Sequence, residues 1–143
     1  RLLPVLHDAA RVVCFGSHFN RDCSMFLQKR MLLLGRFLEV PYHGNDQTEA
    51  ASALSAGDLA ILISASCNYR SRYGDIWESL MNGKAPVALI TQNTHSILTN
   101  DADFVLSSGV SNQFDNAKLS TLQLIDLIAM KYIERYRHEI AKE

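Results

Sequence analysis

Hydrophobic residues along the chain fall into short continuous runs that alternate with segments of helical spacing. The clearest run, Leu59–Ile63, is apolar at every position rather than at every second one. That pattern is typical of a strand covered on both faces, as in a parallel sheet. Four other segments also have strand character, namely Arg11–Gly16, Leu38–Tyr42, Pro86–Ile90 and Phe104–Leu106. The pattern therefore predicts five strands.

Between the first three strands, apolar residues recur at the spacing that marks one face of a helix. One helix is predicted from about Phe19, with Gly35 where a glycine commonly ends a helix. Its expected apolar positions are Phe19, Cys23, Phe26, Leu27, Leu33, Leu34 and Phe37. Asp46 and Glu49 have the spacing of a capping box at the start of a second helix, which Gly57 would stop.

Two more helices are predicted towards the carboxyl terminus. Ile76, Trp77 and Leu80 fit one helical face, and Gly83 marks the end of that helix. Lys118–Lys142 is expected to be a long helix whose apolar residues extend beyond one face: Leu119, Leu122, Leu124, Ile125, Leu127, Ile128, Ala129, Tyr132, Tyr136 and Ile140. Such a helix needs two covers, so we expect the sheet on one side and a second subunit on the other.

Strands that alternate with helices indicate a doubly wound parallel sheet. We expect a three-layer α/β fold in which helices cover both faces of a five-stranded sheet of the flavodoxin-like order 2-1-3-4-5. Such sheets bind ligands beyond the carboxyl ends of the strands, where the strand order reverses. The reversal lies between the first and third strands, which end at Gly16–Ser17 and Ser64–Ser66. Two turns with hydroxyl side chains are therefore expected to face each other across one crevice.

Composition narrows the class of protein. The 143 residues, 48% hydrophobic and 20% charged, predict one globular domain over 1–143, with Arg1–Ala10 as a linker or the end of a helix. The net charge of −1 gives no overall attraction to DNA or to an acidic membrane. No apolar run reaches the roughly 18 residues of a membrane span, and no secretory signal pattern is present. Three cysteines without a C-x-x-C pair favour a reducing, cytoplasmic setting.

The turn after the central strand carries the most informative chemistry. Ser64 and Ser66 would bring hydroxyl donors to the start of a helix, where unpaired amides and the helix dipole favour an anion. Alternatively, both serines simply cap that helix. Glu49, Glu78 and His95 form no persuasive acid–base pair, and no metal-ligand spacing occurs. We therefore expect no cofactor, no metal and no catalysis.

Three strand segments and the tail resemble a known family. Gly57–Ser66 has the sequence GDLAILISAS, followed by PVALIT at Pro86–Thr91 and NDADFVL at Asn100–Leu106. In order and spacing these segments resemble the third strand, phosphate loop and following two strands of sugar isomerase (SIS) domains. Ser120–Ile133 is similar to the last helix of the SIS domains in RpiR-type transcriptional regulators. The match covers most of the chain.

The resemblance implies a phosphosugar-sensing and dimerisation domain rather than an enzyme. Its effector would be a sugar phosphate or a similar small anion, and the domain would form a homodimer or a higher homo-oligomer. DNA would be bound only through an amino-terminal helix-turn-helix domain, and no membrane would be involved. Because the chain begins at Arg1, we expect that DNA-binding domain to lie outside it. The alternatives are a phosphosugar isomerase, or a SIS domain whose vestigial pocket leaves only dimerisation.

The family's phosphate-loop pattern, S-x-S-G-x-T, here becomes Ser64-Ala65-Ser66-Cys67-Asn68-Tyr69. The candidate ligand-binding residues are Gly16, Ser17, Asn20, Ser64, Ala65, Ser66, Asn68 and Tyr69, and of these Gly16, Ser17, Ser64 and Ser66 match the family's ligand positions. Cys67 replaces a glycine and so disfavours positive φ and close approach by a ligand. Tyr69 replaces a threonine and adds bulk. We therefore expect a narrower pocket than the family pattern provides.

Side chains near the loop have both a functional and a structural interpretation. Asn20, where the family has a hydroxyl, either donates an amide hydrogen bond to the ligand or serves the turn. Arg70 and Arg72 either close on an anion through charge-assisted hydrogen bonds or are exposed at a helix start. Cys67 is either a redox-sensitive thiol or a small residue in place of glycine.

Overall fold

Four parallel strands form the central sheet in the computed structural model, which describes residues 1–42, 44–64, 74–92, 101–107 and 116–140. They are β1 (Val12–Phe15), β2 (Leu59–Ile63), β3 (Val87–Thr91) and β4 (Phe104–Ser107). The strands lie side by side in that order, and every pair is parallel. β1, β2 and β3 are buried at every position, whereas β4 is partly exposed at one edge of the sheet.

Helices in the described ranges cover both faces of the sheet, as predicted. α1 (Leu2–Asp8), α2 (Phe19–Leu32) and α5 (Asn116–Ile140) pack on one face. α3 (Gly44–Ala53) and α4 (Gly74–Asn82) pack on the other face. The domain therefore has the three layers that the alternation of strands and helices predicts.

Each central strand contributes to two hydrophobic cores, because successive side chains of a strand point to opposite faces. In β2, Leu59, Ile61 and Ile63 belong to the core beneath α1, α2 and α5. Ala60 and Leu62 belong to the core beneath α3 and α4. Both sets are buried, which explains why the sequence of β2 is continuously apolar.

The five-stranded sheet is not confirmed, because the predicted second strand is reduced to one contact. Leu38–Tyr42 contributes a single parallel bridge between Val13 and Glu39, on the side of β1 opposite β2. Its position is that of the second strand in the expected order. Pro41 has no amide hydrogen with which to extend the pairing. The described sheet therefore has four strands.

The end of α2 differs from the prediction. The helix begins at Phe19 as expected but ends at Leu32, before the last three apolar positions assigned to it. Gly35 has φ of +81°, and this left-handed conformation turns the chain away from the helix axis. Leu33 and Phe37 consequently lie beyond the helix and are 78% and 61% exposed.

The start of α3 also differs from the prediction, whereas α4 follows it. α3 begins at Gly44, so Asp46 lies in the first turn rather than at the N-cap. An acid in this turn still interacts favourably with the helix dipole. α4 buries Ile76, Trp77 and Leu80, which confirms the predicted face.

The long tail helix is confirmed as α5, which begins two residues before the predicted Lys118, but its backbone is kinked at Tyr136, where φ is −111° and ψ is 21°. Ile125 and Tyr132 are buried in the core shared with α1, α2 and the sheet. Leu127 and Met130 are 49% and 55% exposed. The apolar residues thus extend beyond the covered side of the helix. Among the described residues, no helix combines the length and apolar character needed to cross a membrane.

A charged cluster joins the amino ends of β1 and β2. The buried carboxylate of Asp58 accepts the amide of Arg11 at 3.1 Å, and the amide and hydroxyl of Ser55 at 2.8 and 3.1 Å. Hydrogen bonding by Ser55 favours the ionised carboxylate and lowers the pKa of Asp58. The Arg11 guanidinium donates twice to Glu39, at 2.8 and 2.9 Å, and lowers the pKa of that carboxyl. The cluster stabilises the ends of these strands opposite the crevice.

Replacement of Asp58 tests this cluster. Asp58→Asn should lower the free energy of unfolding at neutral pH by about 1–2 kcal/mol, since hydrogen bonds to a charged acceptor are lost. Because folding lowers the pKa of Asp58, its stabilisation is present above the ordinary value of 3.8 and is lost as pH falls through the folded-state value. Urea unfolding between about pH 3 and pH 7 should therefore show the two proteins converging at low pH. Glu78→Gln, at an exposed position of α4, is the control; a constant difference at every pH would contradict the assignment.

Candidate functional site

The carboxyl ends of β1 and β2 lie side by side at the edge where the crevice was predicted. The two strands are hydrogen-bonded neighbours, and their register pairs Phe15 with Leu62. The same register, continued by two residues, puts Ser17 beside Ser64. Neighbouring strands are about 4.8 Å apart, so both turns leave the sheet within one small region. This adjacency is the geometric basis of the candidate site.

The first turn passes directly into α2. The carbonyl of Ser17 accepts the amide of Asn20 at 3.0 Å, and the carbonyl of His18 accepts the amide of Arg21 at 3.1 Å. His18 has φ of +53°, which is uncommon for a residue with a side chain, and α2 begins at the next residue. The amide and hydroxyl of Ser17 make no hydrogen bond to another described residue. Ser17 is therefore the first turn's candidate donor.

Ser64 begins the second turn and is held firmly by the sheet. Its amide donates to the carbonyl of Ile90 in β3 at 3.0 Å, and the residue is only 2% exposed. The predicted ligand residues Ala65, Ser66, Asn68 and Tyr69 lie outside the described residues, as do Cys67, Arg70 and Arg72. Their roles stay predictions from the family resemblance.

Gly16 allows β1 to end directly beneath the first turn of α2. A Cβ atom at this position would lie 3.1 and 3.2 Å from the backbone carbon and oxygen of Asn20, and 3.2 Å from its Cβ. These contacts are with the backbone of a helix, which cannot move aside as a flexible side chain can. Asn20 is therefore placed beside Gly16 by backbone packing, and its carbonyl also accepts the hydroxyl of Ser24 at 3.2 Å.

Gln47 of α3 belongs to the same region, although it is not among the predicted site residues. Its side chain is 3% exposed, and its Nε2 donates to the carbonyl of Gly16 at 3.2 Å. A signal was present in the sequence, because Gln47, Ala50, Ala51 and Leu54 share one helical face. A polar residue on an otherwise apolar face must find a buried hydrogen-bond partner.

The remaining candidate groups in the described part of the chain are exposed carboxylates and buried thiols. Glu49 and Glu78 are exposed on α3 and α4, and His95 lies outside the described residues. Burial raises the pKa of the Cys14 and Cys23 thiols to about 12, so both are protonated at neutral pH. Within the described ranges, no three His, Cys, Asp or Glu side chains cluster as metal ligands would.

Comparison with known proteins identifies the class of fold. No protein-family model and no curated protein sequence matches the chain. Two solved structures superpose on 99% of the chain with a TM-score of 0.82 and 19% sequence identity. They are the Vibrio vulnificus NanR protein complexed with ManNAc-6P, and the sugar isomerase domain of an RpiR transcription factor from Sphaerobacter thermophilus. The chain spans 56% of the NanR chain and 79% of the RpiR chain.

A third structure belongs to a hypothetical protein of Methanococcus jannaschii, whose inferred function is that of a 3-hexulose-6-phosphate isomerase. It superposes on 99% of the chain, with 80% of its own length covered, a TM-score of 0.78 and 18% identity. At these identities the comparisons define the fold. The chain has the fold of sugar isomerase (SIS) domains, which confirms the family resemblance at that level.

Substitution of Gly16 tests the close packing at the site. Gly16→Ala should lower the free energy of unfolding by about 1–3 kcal/mol, because the added methyl group presses on the backbone of α2. Gly57→Ala is the matched control, since a Cβ there has open space and the residue has an ordinary backbone conformation. Urea unfolding measures both variants, and equal stability of the two would contradict the packing argument.

Proposed function

We propose that the chain is the phosphosugar-sensing and dimerisation domain of an RpiR-type transcriptional regulator. The observation that supports it most directly is the adjacency of Ser17 and Ser64 at the ends of neighbouring parallel strands in a SIS fold. The complex of the structurally similar NanR protein with ManNAc-6P supports a sugar phosphate as the class of effector.

The chemistry of the first turn suits a phosphate group. The amide and hydroxyl of Ser17 supply donors, and the amino-terminal end of α2 directs its dipole towards the same turn. Hydrogen bonds to an ionised acceptor are roughly twice as strong as those between neutral groups. Ser66, by resemblance, adds a hydroxyl from the second turn. Binding would therefore depend on directed donors from both turns.

Dimerisation is proposed through the uncovered side of α5. Leu119, Leu127 and Met130 are large apolar residues on this helix, and each is about half exposed or more. A cavity of about 330 Å³, lined in part by Leu127, lies between α5, β4 and the start of α1. A second copy of the chain would bury these side chains across a two-fold axis, where one patch meets itself.

The proposed role is regulation rather than catalysis. Binding at the crevice would shift the population of conformations, and DNA binding would belong to a part of the protein outside this chain. The free, buried thiols of Cys14 and Cys23 suit a reducing compartment such as the cytoplasm. The alternative of a phosphosugar isomerase is favoured by the function inferred for the similar Methanococcus protein.

Ligand binding is tested by thermal unfolding with a panel of sugar phosphates that includes ManNAc-6P. A ligand at about one hundred times its Kd should stabilise the protein by about 2.7 kcal/mol and raise Tm by about 5–10 °C. The double variant Ser17→Ala, Ser66→Ala should lose most of this shift because both turns lose a hydroxyl donor. Ser52→Ala, at an exposed hydroxyl of α3, is the control.

Each result separates the candidate functions. Absence of a shift with every panel member, in folded protein, would contradict sensing and leave dimerisation alone. Conversion of an aldose phosphate to its ketose, abolished in the double variant, would instead establish the isomerase. A ligand-induced shift without turnover is the result expected for the sensor.

Dimerisation is tested by light scattering after size-exclusion chromatography. The wild-type chain should have twice the mass of one chain, and Leu127→Glu should shift it towards the monomer because a charge enters the apolar interface. Leu33→Glu is the matched control, as Leu33 is exposed beyond the end of α2. A monomeric wild type, or equal disruption by both substitutions, would contradict this interface.

A further inference from the structure

We propose that Gln47 is a positioning residue that fixes the peptide between Gly16 and Ser17 and so aims the Ser17 amide into the crevice. The inference rests on the proposed function, since it assigns a role within that same site. Three observations support the inference. Gln47 contacts the carbonyl of Gly16, a single bridge lies beside β1, and Gly16 is closely packed beneath α2.

The alternation of β1 gives the direction of the Gly16 carbonyl. Glu39 donates its amide to the carbonyl of Val12 at 2.9 Å and accepts the amide of Cys14 at 2.8 Å. Alternate residues of a strand direct their backbone polar groups to the same side. The carbonyl of Gly16 therefore points to the Glu39 side, where none of the described residues of 38–42 donates a backbone amide to it. The Nε2 group of Gln47 provides that donor at 3.2 Å.

The amide of Ser17 must point the opposite way. It shares a planar peptide with the carbonyl of Gly16, and none of the described peptide bonds is cis. In a trans peptide the carbonyl and the amide are antiparallel. The Ser17 amide is therefore directed to the side of β1 on which β2 lies, towards Ser64 at the end of that strand. This is where a ligand between the two turns would accept it.

Gly16 explains why an external contact is needed. The backbone of α2 would crowd a Cβ atom there, at 3.1–3.2 Å from Asn20, so the position favours glycine. Glycine has no side chain to restrict rotation about φ and ψ. The orientation of the peptide between Gly16 and Ser17 would therefore vary without an external contact. A buried amide donor from α3 removes this freedom. Gln47 is itself fixed because it is 3% exposed and lies one turn before the buried Ala51.

Two substitutions of Gln47 test the role. Gln47→Leu removes the donor at similar volume and should weaken binding of ManNAc-6P and of inorganic phosphate about tenfold, the loss expected for one misdirected hydrogen bond to an anion. Gln47→Glu should weaken binding when the introduced carboxyl is ionised and repels the Gly16 carbonyl. Protonation of that carboxyl restores a donor. The ligand affinity of Gln47→Glu, divided by that of wild type at the same pH, should therefore recover as pH falls.

The control variant is Gln28→Leu. Gln28 also donates from a helix to a backbone carbonyl, that of Leu38 at 2.8 Å, but on the part of the edge away from the crevice. Its removal should leave both ligand affinities within about twofold of wild type. A general loss of stability would affect the two leucine variants alike and would give no pH dependence.

A second measurement examines the peptide itself. In ¹⁵N-labelled protein without ligand, the Ser17 amide signal should shift in Gln47→Leu and should follow the titration of the introduced carboxyl in Gln47→Glu. Unchanged Ser17 signals, or unchanged ligand affinity in a wild type that binds, would overturn the inference. Failure of the wild type to bind any phosphate compound would overturn the proposed function, whereas the effect of Gln47 on the peptide would still be decided by the amide signals.

Discussion

The parallel register of β1 with β2 is the constraint on which the candidate site depends. A slip by one residue would move Leu59, Ile61 and Ile63 to the opposite face, where Ala60 and Leu62 now pack. The two cores are covered by different helices and take side chains of different size from β2, so the slipped register would leave cavities on one face and crowd the other. The proximity of the two carboxyl-terminal turns is therefore a consequence of core packing rather than of the turn sequences.

Hydrophobic pattern was sufficient to predict the layers but not every boundary. The continuous run of β2 and the face formed by Ile76 and Leu80 depend on burial, which the pattern of apolar residues reports directly. Alternation in Leu38–Tyr42 favoured a strand, yet alternation takes no account of backbone donors, and Pro41 has none. The end of α2 was misplaced because apolar residues continue at helical spacing beyond the turn at Gly35.

Strand topology predicts some residues of the candidate site but not others. The places of Gly16, Ser17 and Ser64 could be predicted because each follows directly from the end of a parallel strand, and their contact with a ligand stays a prediction. Gln47 could not, because its role requires α3 to lie against the side of β1 that the second strand leaves open. The polar position within the apolar face of α3 indicated a buried contact, but the pattern of residues does not identify the partner.

The incomplete second strand and the contact of Gln47 have a common physical origin. A full strand beside β1 would satisfy the Gly16 carbonyl with a backbone amide, whose position is fixed by the ladder. Among the described residues the pairing is a single bridge at Glu39, and a side chain on a helix donates to the Gly16 carbonyl. The direction of the Ser17 amide then depends on how α3 packs against the sheet and α4. The geometry of the candidate site is thereby linked to the core that contains Ala51 and Ile76, on the face opposite α5.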